Sequence, residues 1–190
     1  MLTFKDEFKR KLVHFGSSVI GFSILHFDRE IILPILIISA TIFPFLDYLR
    51  ISNKSVSNFY YTYFSSITRS FESKKFTGAT FVFVGAMLTY ILFSQKVAGI
   101  SLIIMSLSDA MAAIIGVRYG KTKLLNKSLE GSFAFFLTTL IILYFFKIPV
   151  IASLLASIVL TIIELVEIPN INDNLSIPIS AALLLTTAGI

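Results

Sequence analysis

Residues 97–117 read VAGISLIIMSLSDAMAAIIGV, a continuous apolar run whose single charged side chain is Asp109. A helix that crosses the hydrocarbon core of a bilayer needs about 20 mostly apolar residues, and this run has that length. A carboxylate inside such a helix is costly, so it is a functional candidate by default. This one stretch therefore predicts a membrane helix and indicates where the chemistry lies.

The rest of the chain has the same apolar character. Of its 190 residues, 56% are hydrophobic and only 14% are charged, whereas soluble domains carry about 25% charged residues. The excess is too large for one water-soluble core, so most side chains are expected to face lipid. No linker, low-complexity tract or long repeat interrupts the chain, which predicts a single integral-membrane domain over residues 1–190.

Seven apolar segments are candidate spans, although several have only about 15 to 17 residues. Their apolar runs are continuous and lack the alternation of a membrane barrel, which predicts an all-α polytopic bundle of about seven transmembrane helices. The candidate spans are Leu12–Phe27, Ile31–Leu49, Thr77–Ser94, Val97–Val117, Ser132–Phe146, Val150–Val166 and Leu175–Ile190.

The basic residues predict the orientation. With the N-terminus in the cytoplasm, the outer segments contain only Arg29, Lys96 and Lys147 of the 16 lysines and arginines. This asymmetry follows the positive-inside rule and favours a multi-pass protein of the cell membrane. It also accounts for the net charge of +5, so we expect no nucleic-acid partner. The cytoplasmic connection Ile51–Phe76 is rich in aromatic and basic residues, which predicts an interfacial helix.

The composition also excludes some chemistry. The chain has no cysteine, which excludes disulfides, thiol catalysis and thiolate zinc sites. Its two histidines, His14 and His26, are twelve residues apart and make no metal-ligand pattern.

The first polar cluster begins at Asp109. Gly116 and Gly120 follow at +7 and +11 on the same helical face, and Lys121 comes directly after them. Small residues allow a ligand or another helix to approach closely, so the stripe alone is explained by helix packing. An aspartate at its head and a lysine at its foot favour ligand binding. If Asp109 is buried it needs a partner, either a metal ion or a lysine such as Lys121.

The second cluster, KSLEGS at residues 127–132, opens the fifth candidate span. The free N–H groups at a helix start attract phosphate. Lys127 adds a positive charge, Ser128 and Ser132 add donors, and Glu130 could bind a metal ion. An ordinary helix cap is the alternative.

The third cluster surrounds the last loop, with Glu164 and Glu167 before it and Asp173 and Asn174 after it. Capping of the last helix by Asp173 and Asn174 would be a simple explanation. Carboxylates among basic cytoplasmic loops instead suggest Mg²⁺ shared with phosphates. The three clusters lie on the same side of the predicted topology and together supply what phosphoryl transfer requires, although the chain has no Walker P-loop.

The order of these motifs resembles the polyprenol kinase family, which includes dolichol kinase, phytol kinase and the CTP-dependent diacylglycerol kinases. The matching motifs are RKxxH at 10–14, DxxR at 47–50, TG at 77–78, DAxAxxxGxxxGK at 109–121, KSxEGS at 127–132 and DNLxIP at 173–178. The likeness covers nearly the whole chain. Among the members of the family, the chain resembles the compact prokaryotic form. Ser108 stands where many members have Gly, and either Glu164 or Glu167 could be the glutamate that the family has before Asp-Asn.

The resemblance implies CTP as phosphate donor, Mg²⁺ or a similar divalent cation, and a lipid alcohol in the bilayer as acceptor, with the nucleotide site on the cytoplasmic face. It implies Asp109, Glu130 and Asp173 as catalytic or metal-binding residues, with Glu164 and Asn174 as further metal ligands. The implied nucleotide- and phosphate-binding residues are Gly116, Gly120, Lys121, Lys127, Ser128, Gly131 and Ser132, followed by Arg10, Lys11, His14 and Arg50.

Two other functions are compatible with the sequence. A phosphatidate cytidylyltransferase would also use CTP but would release pyrophosphate. A small transporter would carry buried acids too, although carrier acids are expected near the midplane and often in two similar halves. The sequence leaves the particular lipid alcohol and the oligomeric state open.

The predicted topology can be tested by cysteine labelling, because the chain has no native cysteine. We expect Thr122→Cys and Asn172→Cys to react with an impermeant maleimide from the same side of sealed vesicles, since both loops are assigned to the cytoplasm. Labelling of the two positions from opposite sides would contradict both the topology and a shared site.

Overall fold

A computed structural model describes residues 4–68, 70–166 and 171–190, and helices dominate them. A short 3-10 turn at Ser70–Lys74 precedes the fifth of these helices. The two-residue strands β1 (Lys123–Leu124) and β2 (Lys127–Ser128) form an antiparallel hairpin between the sixth and the seventh. The helices are α1 Phe4–Gly16, α2 Ser18–His26, α3 Arg29–Ser52, α4 Lys54–Phe64, α5 Gly78–Leu92, α6 Gln95–Tyr119, α7 Leu129–Phe145, α8 Val150–Val166 and α9 Asp173–Thr187.

The helical fold class is confirmed. Helices α3 and α6 are long and apolar enough to cross a membrane, while α5, α7 and α8 are shorter apolar helices. The outer face of α3 exposes Ile31, Ile35, Ile38 and Ile42 at helical spacing, and soluble monomers rarely expose an apolar surface of this kind. The number of spans and their orientation stay predictions.

Helix α6 is the centre of the fold and packs against α1, α2, α5, α7 and α9. Glycines bring its neighbours close: a Cβ added at Gly21 of α2 would lie 2.8 Å from the carbonyl oxygen of Gly99. Such small-residue contacts are typical of membrane helix pairs. Ser108, which replaces the glycine common in the family it resembles, is buried and accepts a hydrogen bond of 2.9 Å from the Thr139 hydroxyl of α7.

The predicted first span, Leu12–Phe27, is wrong as a single helix. It comprises the end of α1 and the whole of α2, which meet at Gly16 and Ser17. Glycine is a poor helix former. The Ser17 hydroxyl donates to the carbonyl oxygen of His14 at 2.6 Å and lies 2.9 Å from the hydroxyl oxygen of Ser106. The break separates α1, which reaches the carboxylate of Asp109, from α2, which packs along α6.

A buried ion pair within α3, between Asp47 and Arg50, is hydrogen-bonded to the start of α5 and to the segment before it. The carboxylate of Asp47 accepts hydrogen bonds from the Thr77 backbone N–H at 2.7 Å, the Thr77 hydroxyl at 2.9 Å and the Thr80 hydroxyl at 2.7 Å. Arg50 donates to Asp47 at 3.0 Å and to the carbonyl oxygen of Lys75 at 2.6 Å. Arg50, a predicted nucleotide-binding residue, therefore uses its guanidinium group to hold α3 against α5 and the segment that connects them.

The predicted helix in the connection Ile51–Phe76 is present as α4. The side chain of Asn53 caps it by accepting from the N–H groups of Ser55 and Val56, and Phe59 and Tyr63 on its surface are two-thirds exposed. Its interfacial position stays a prediction.

We expect Asp47→Ala to lower the free energy of unfolding in detergent by about 3 kcal/mol, because it leaves Arg50 and several donors buried without their partner. Leu46→Ala, on the same turn and half exposed, is the matched control and should cost well under 1 kcal/mol. Equal losses from the two variants would show that this ion pair does not stabilise the fold.

Candidate active site

A cavity of about 520 Å³ opens where the ends of five helices and the hairpin meet. It brings together residues of all three predicted clusters, and we call it the polar cavity. Its lining consists of Glu7, Lys11, Asp109, Ala112, Ala113, Gly116, Val117, Gly120, Lys123, Leu125, Asn126, Lys127, Ser128, Gly131, Ser132, Glu164 and Asp173.

The buried carboxylate of Asp109 has two cationic or polar partners on α1. Lys11 forms an ion pair with its Oδ2 atom, and His14 Nε2 lies 3.1 Å from the same oxygen. His14 Nε2 also lies 3.3 Å from the carbonyl oxygen of Met105. The partner expected for Asp109 was a metal ion or a lysine such as Lys121; the structure shows a lysine, but it is Lys11 and not Lys121, because α1 packs against α6. Without such partners a charge at this depth would be strongly unfavourable.

Lys127 links the second cluster to the third. Its Nζ atom lies 2.8 Å from Glu164 Oε1 and 3.2 Å from Asp173 Oδ2. Burial acts to lower the pKa of Lys127, but the carboxylates of Asp173 and Glu164 outweigh it and raise the pKa above the ordinary lysine value. Lys127 is therefore protonated at neutral pH, and its contribution to stability is lost only when the pH rises above that ordinary value.

Two buried oxygen atoms of this cavity have no hydrogen-bond partner among the described residues. They are Glu164 Oε2 and Ser132 Oγ. Buried polar atoms in proteins are normally paired, so orphaned ones need an explanation. Both line the polar cavity, where they are available to a ligand.

The donor set fits a divalent cation that is shared with a nucleotide. Within the described ranges, no group of three or more His, Asp or Glu side chains could hold a metal ion by itself. Mg²⁺ usually takes only one or two carboxylates together with substrate phosphates. Glu164 and Asp173 meet this condition, because both contact Lys127 Nζ and Glu164 keeps an unpaired oxygen.

The floor of the cavity is the close approach of α6 and α7. A Cβ added at Gly116 would lie 2.9 Å from Ser128 Oγ, and one added at Gly131 would lie 3.2 Å from the Cα atom of Gly116. Ser128 is the N-cap of α7 and accepts from the Gly131 N–H at 3.2 Å. The glycine stripe thus serves helix packing and cavity shape together, and the second cluster does begin a helix.

Several predicted residues lie outside the lining of the polar cavity. Lys121 is exposed, and the carboxylate of Glu130 accepts from the backbone N–H of Thr122 at 3.2 Å. Arg10 pairs with Glu7 on α1. Glu167 lies outside the described residues.

The structure does not support the simple explanation that Asp173 and Asn174 cap α9. The side chain of Asn172, and not that of Asp173 or Asn174, caps the helix by accepting from the Asn174 N–H at 3.0 Å. Asp173 is thereby left to contact Lys127, and the Asn174 amide donates to the carbonyl oxygen of Gly78 at 3.0 Å.

Sequence reasoning missed three polar residues of the lining: Glu7, Lys123 and Asn126. The signals were present. Glu7 stands four residues before Lys11 on the same face of α1, and the other two lie in the short hairpin that joins the first and second clusters.

A second cavity, of about 430 Å³, is lined by His14, whose Nε2 atom contacts Asp109. We call it the amphipathic cavity, since its lining joins the polar residues Arg10, His14, Ser17, Tyr60, Thr68, Glu72, Thr77 and Asn174 to the apolar or small residues Val13, Gly16, Ile20, Phe43, Ile67, Gly78, Ala79, Val82 and Phe83.

Two of the known proteins that this chain is similar to are named as CTP-dependent diacylglycerol kinases. The chain is 28% identical to CTP-dependent diacylglycerol kinase 1 of Saccharomyces cerevisiae, over 94% of this chain and 72% of that protein. It is 27% identical to the protein of the same name in Eremothecium gossypii, over 96% of this chain and 67% of that protein. Its distant homologues are thus CTP-dependent lipid kinases.

A nearer relative gives the family. The chain is 33% identical to the uncharacterised protein RP860 of Rickettsia prowazekii, over 95% of this chain and 93% of that protein. It belongs to the same family as that protein. No family model and no solved structure matches the chain.

We expect Lys127→Met to lower the free energy of unfolding by about 2 kcal/mol at neutral pH, because Glu164 and Asp173 then face each other without a cation. Lys121→Met removes a lysine of the same connection from an exposed position and should change stability by less than about 0.5 kcal/mol. Chemical denaturation in detergent measures both. Similar effects of the two substitutions would contradict the ion-pair network around Lys127.

Proposed function

We propose that this protein is a lipid kinase that transfers the γ-phosphate of CTP to the hydroxyl group of a membrane lipid alcohol. The observation that carries the proposal is the convergence of three distant sequence clusters on one polar cavity with an orphaned carboxylate oxygen. The similarity to two CTP-dependent diacylglycerol kinases supports CTP as the donor. The predicted topology would set this cavity on the cytoplasmic face, where the nucleotide is available.

The lining offers what a triphosphate needs. Lys11, Lys123 and Lys127 bring positive charge to the cavity, and phosphoryl transfer depends on neutralising charge that spreads over the phosphate oxygens. The hydroxyl of Ser132 has a hydrogen bond to donate. The start of α7 adds the positive end of a helix dipole beside them.

In the proposed reaction the alcohol oxygen forms a bond to the γ-phosphorus while the bond from that phosphorus to the β,γ-bridging oxygen breaks. CDP leaves with the electron pair, and the hydroxyl proton is released. Glu164 and Asp173 would hold a divalent cation, and Asp109 lines the same cavity. When bound, such an ion would offset the negative charge of the phosphate oxygens.

The acceptor is proposed to be a long-chain alcohol of the dolichol or polyprenol type, as the motif order suggests. The names of the fungal relatives favour diacylglycerol. Both classes present a hydroxyl group at the headgroup level, so an assay must separate them.

The test is an assay of purified protein with labelled CTP and a panel of dolichol, geranylgeraniol, phytol and diacylglycerol in mixed micelles. We expect label from the γ-position to enter one of these lipids, with CDP as the other product. With phosphatidic acid as substrate, transfer of α-label and release of pyrophosphate would identify a cytidylyltransferase instead. Unlabelled ATP that competes as well as CTP would contradict the choice of donor.

We expect Asp109→Asn to reduce kcat by about 100-fold or more, equivalent to roughly 3 kcal/mol of transition-state stabilisation. The substitution keeps the size of the side chain but removes the charge that Lys11 and a bound cation would share. The measurement is kcat of the detergent-purified variant, normalised to folded protein.

Leu129→Ala is the control for this substitution, because Leu129 belongs to the second cluster but is half exposed and does not line the polar cavity. A purely structural Asp109 would lose stability and keep its turnover per folded molecule. A kcat of Asp109→Asn within about threefold of the parent value would therefore refute a role for this carboxylate in the reaction.

A further inference from the structure

We infer that the amphipathic cavity is the binding site for the lipid alcohol, with the hydroxyl end beside His14 and Asn174 and the hydrocarbon chain along Ile20, Phe43 and Phe83. The inference rests on the proposed function, and it assigns the two substrates to two adjoining cavities of the same fold.

The first support is that the two cavities meet at the residues that carry charge. His14 lines the amphipathic cavity and Asp109 lines the polar cavity, and His14 Nε2 is 3.1 Å from Asp109 Oδ2. A hydroxyl group beside His14 is therefore only a few ångströms from the wall of the polar cavity.

The second support comes from a different part of the chain. Asp173 lines the polar cavity, and Asn174, the next residue, lines the amphipathic cavity. Consecutive Cα atoms are about 3.8 Å apart, so the first turn of α9 also forms a thin partition. Two separate elements thus bring the polar ends of both cavities to the same place.

The third support is the direction in which the lining changes from polar to apolar. On α5 the lining begins with Thr77 and Gly78 and continues with Val82 and Phe83. With a rise of 1.5 Å per residue, those two side chains lie roughly 6 to 8 Å further along the helix. The rings of Phe43 and Phe83 stack there with centroids 4.3 Å apart. This gradient matches a molecule with one polar end, whereas a nucleoside triphosphate is polar along its length.

An opening for a lipid is also present. Ala79 lines the cavity and yet is exposed on the surface of the bundle. Ala79 directly follows Gly78 at the polar end of the lining, so a lipid could enter the cavity there without displacing buried side chains. The volume of about 430 Å³ lies within the range of small-molecule sites, which suits the hydroxyl-bearing end of a lipid.

Ala79→Phe tests this assignment, since a large ring at an exposed position of the wall should narrow the cavity without disturbing the fold. We expect the KM for the lipid alcohol to rise at least 10-fold while the KM for CTP changes less than twofold. Ala79→Leu should give a smaller change in the same direction. Leu92→Phe, exposed at the other end of α5 and outside both linings, should change neither constant. An unchanged KM for the lipid, or an increase in the KM for CTP alone, would overturn the inference.

A photoreactive diazirine analogue of geranylgeraniol provides a readout that does not depend on turnover. We expect it to label residues 10–20 or 78–83 of the full-length protein, with labelling reduced by unmodified geranylgeraniol or diacylglycerol and by Ala79→Phe. Labelling there without any transfer from CTP would refute the proposed kinase and keep the lipid site. Transfer from CTP with competed labelling confined to other segments would keep the kinase and refute the lipid site.

Discussion

The charge of Asp109 in the middle of an apolar bundle is the constraint on which the rest of the structure depends. A buried carboxylate is tolerated only with compensating partners, and here they come from the first helix. Lys11 and His14 reach it because α1 packs against α6. The N-terminal helix is thereby made part of a site whose other components begin 98 residues after Lys11 in the chain.

Two buried clusters of charge in this protein show how a structural ion pair differs from a candidate binding site. The oxygens of Asp47 are occupied by donors from Arg50, Thr77 and Thr80, which leaves that cluster fully committed to the fold. Around Lys127, by contrast, Glu164 retains a buried oxygen without a partner in the described part of the chain, and the cluster faces a cavity. The unpaired oxygen, more than the presence of charge, separates the two cases.

The sequence predicted the helices well because apolar runs of this length have few alternatives. It did not predict the break between α1 and α2 at Gly16 and Ser17, because a break inside an apolar run does not change the composition of that run. For the site, spacing along one helix placed Asp109, Gly116 and Gly120 correctly. Spacing could not show which lysine would fold back onto Asp109, since Lys11 arrives from a distant segment. Nor could it show that Glu130 turns to the backbone of Thr122, because a local hydrogen bond competes with any distant ligand.

The close contact of Gly116 with Gly131 has a consequence for how the polar cavity can be altered. One of its walls is made of backbone atoms in contact, where even a methyl group would meet Ser128 or the carbonyl oxygen of Ala112. Another part of the lining is the hairpin loop, whose Lys123, Leu125 and Asn126 are exposed. A larger side chain is therefore easier to accommodate on the hairpin loop than between the two helices, so a designer who wished to change the ligand of this cavity would work on the hairpin loop and leave the helix pair untouched.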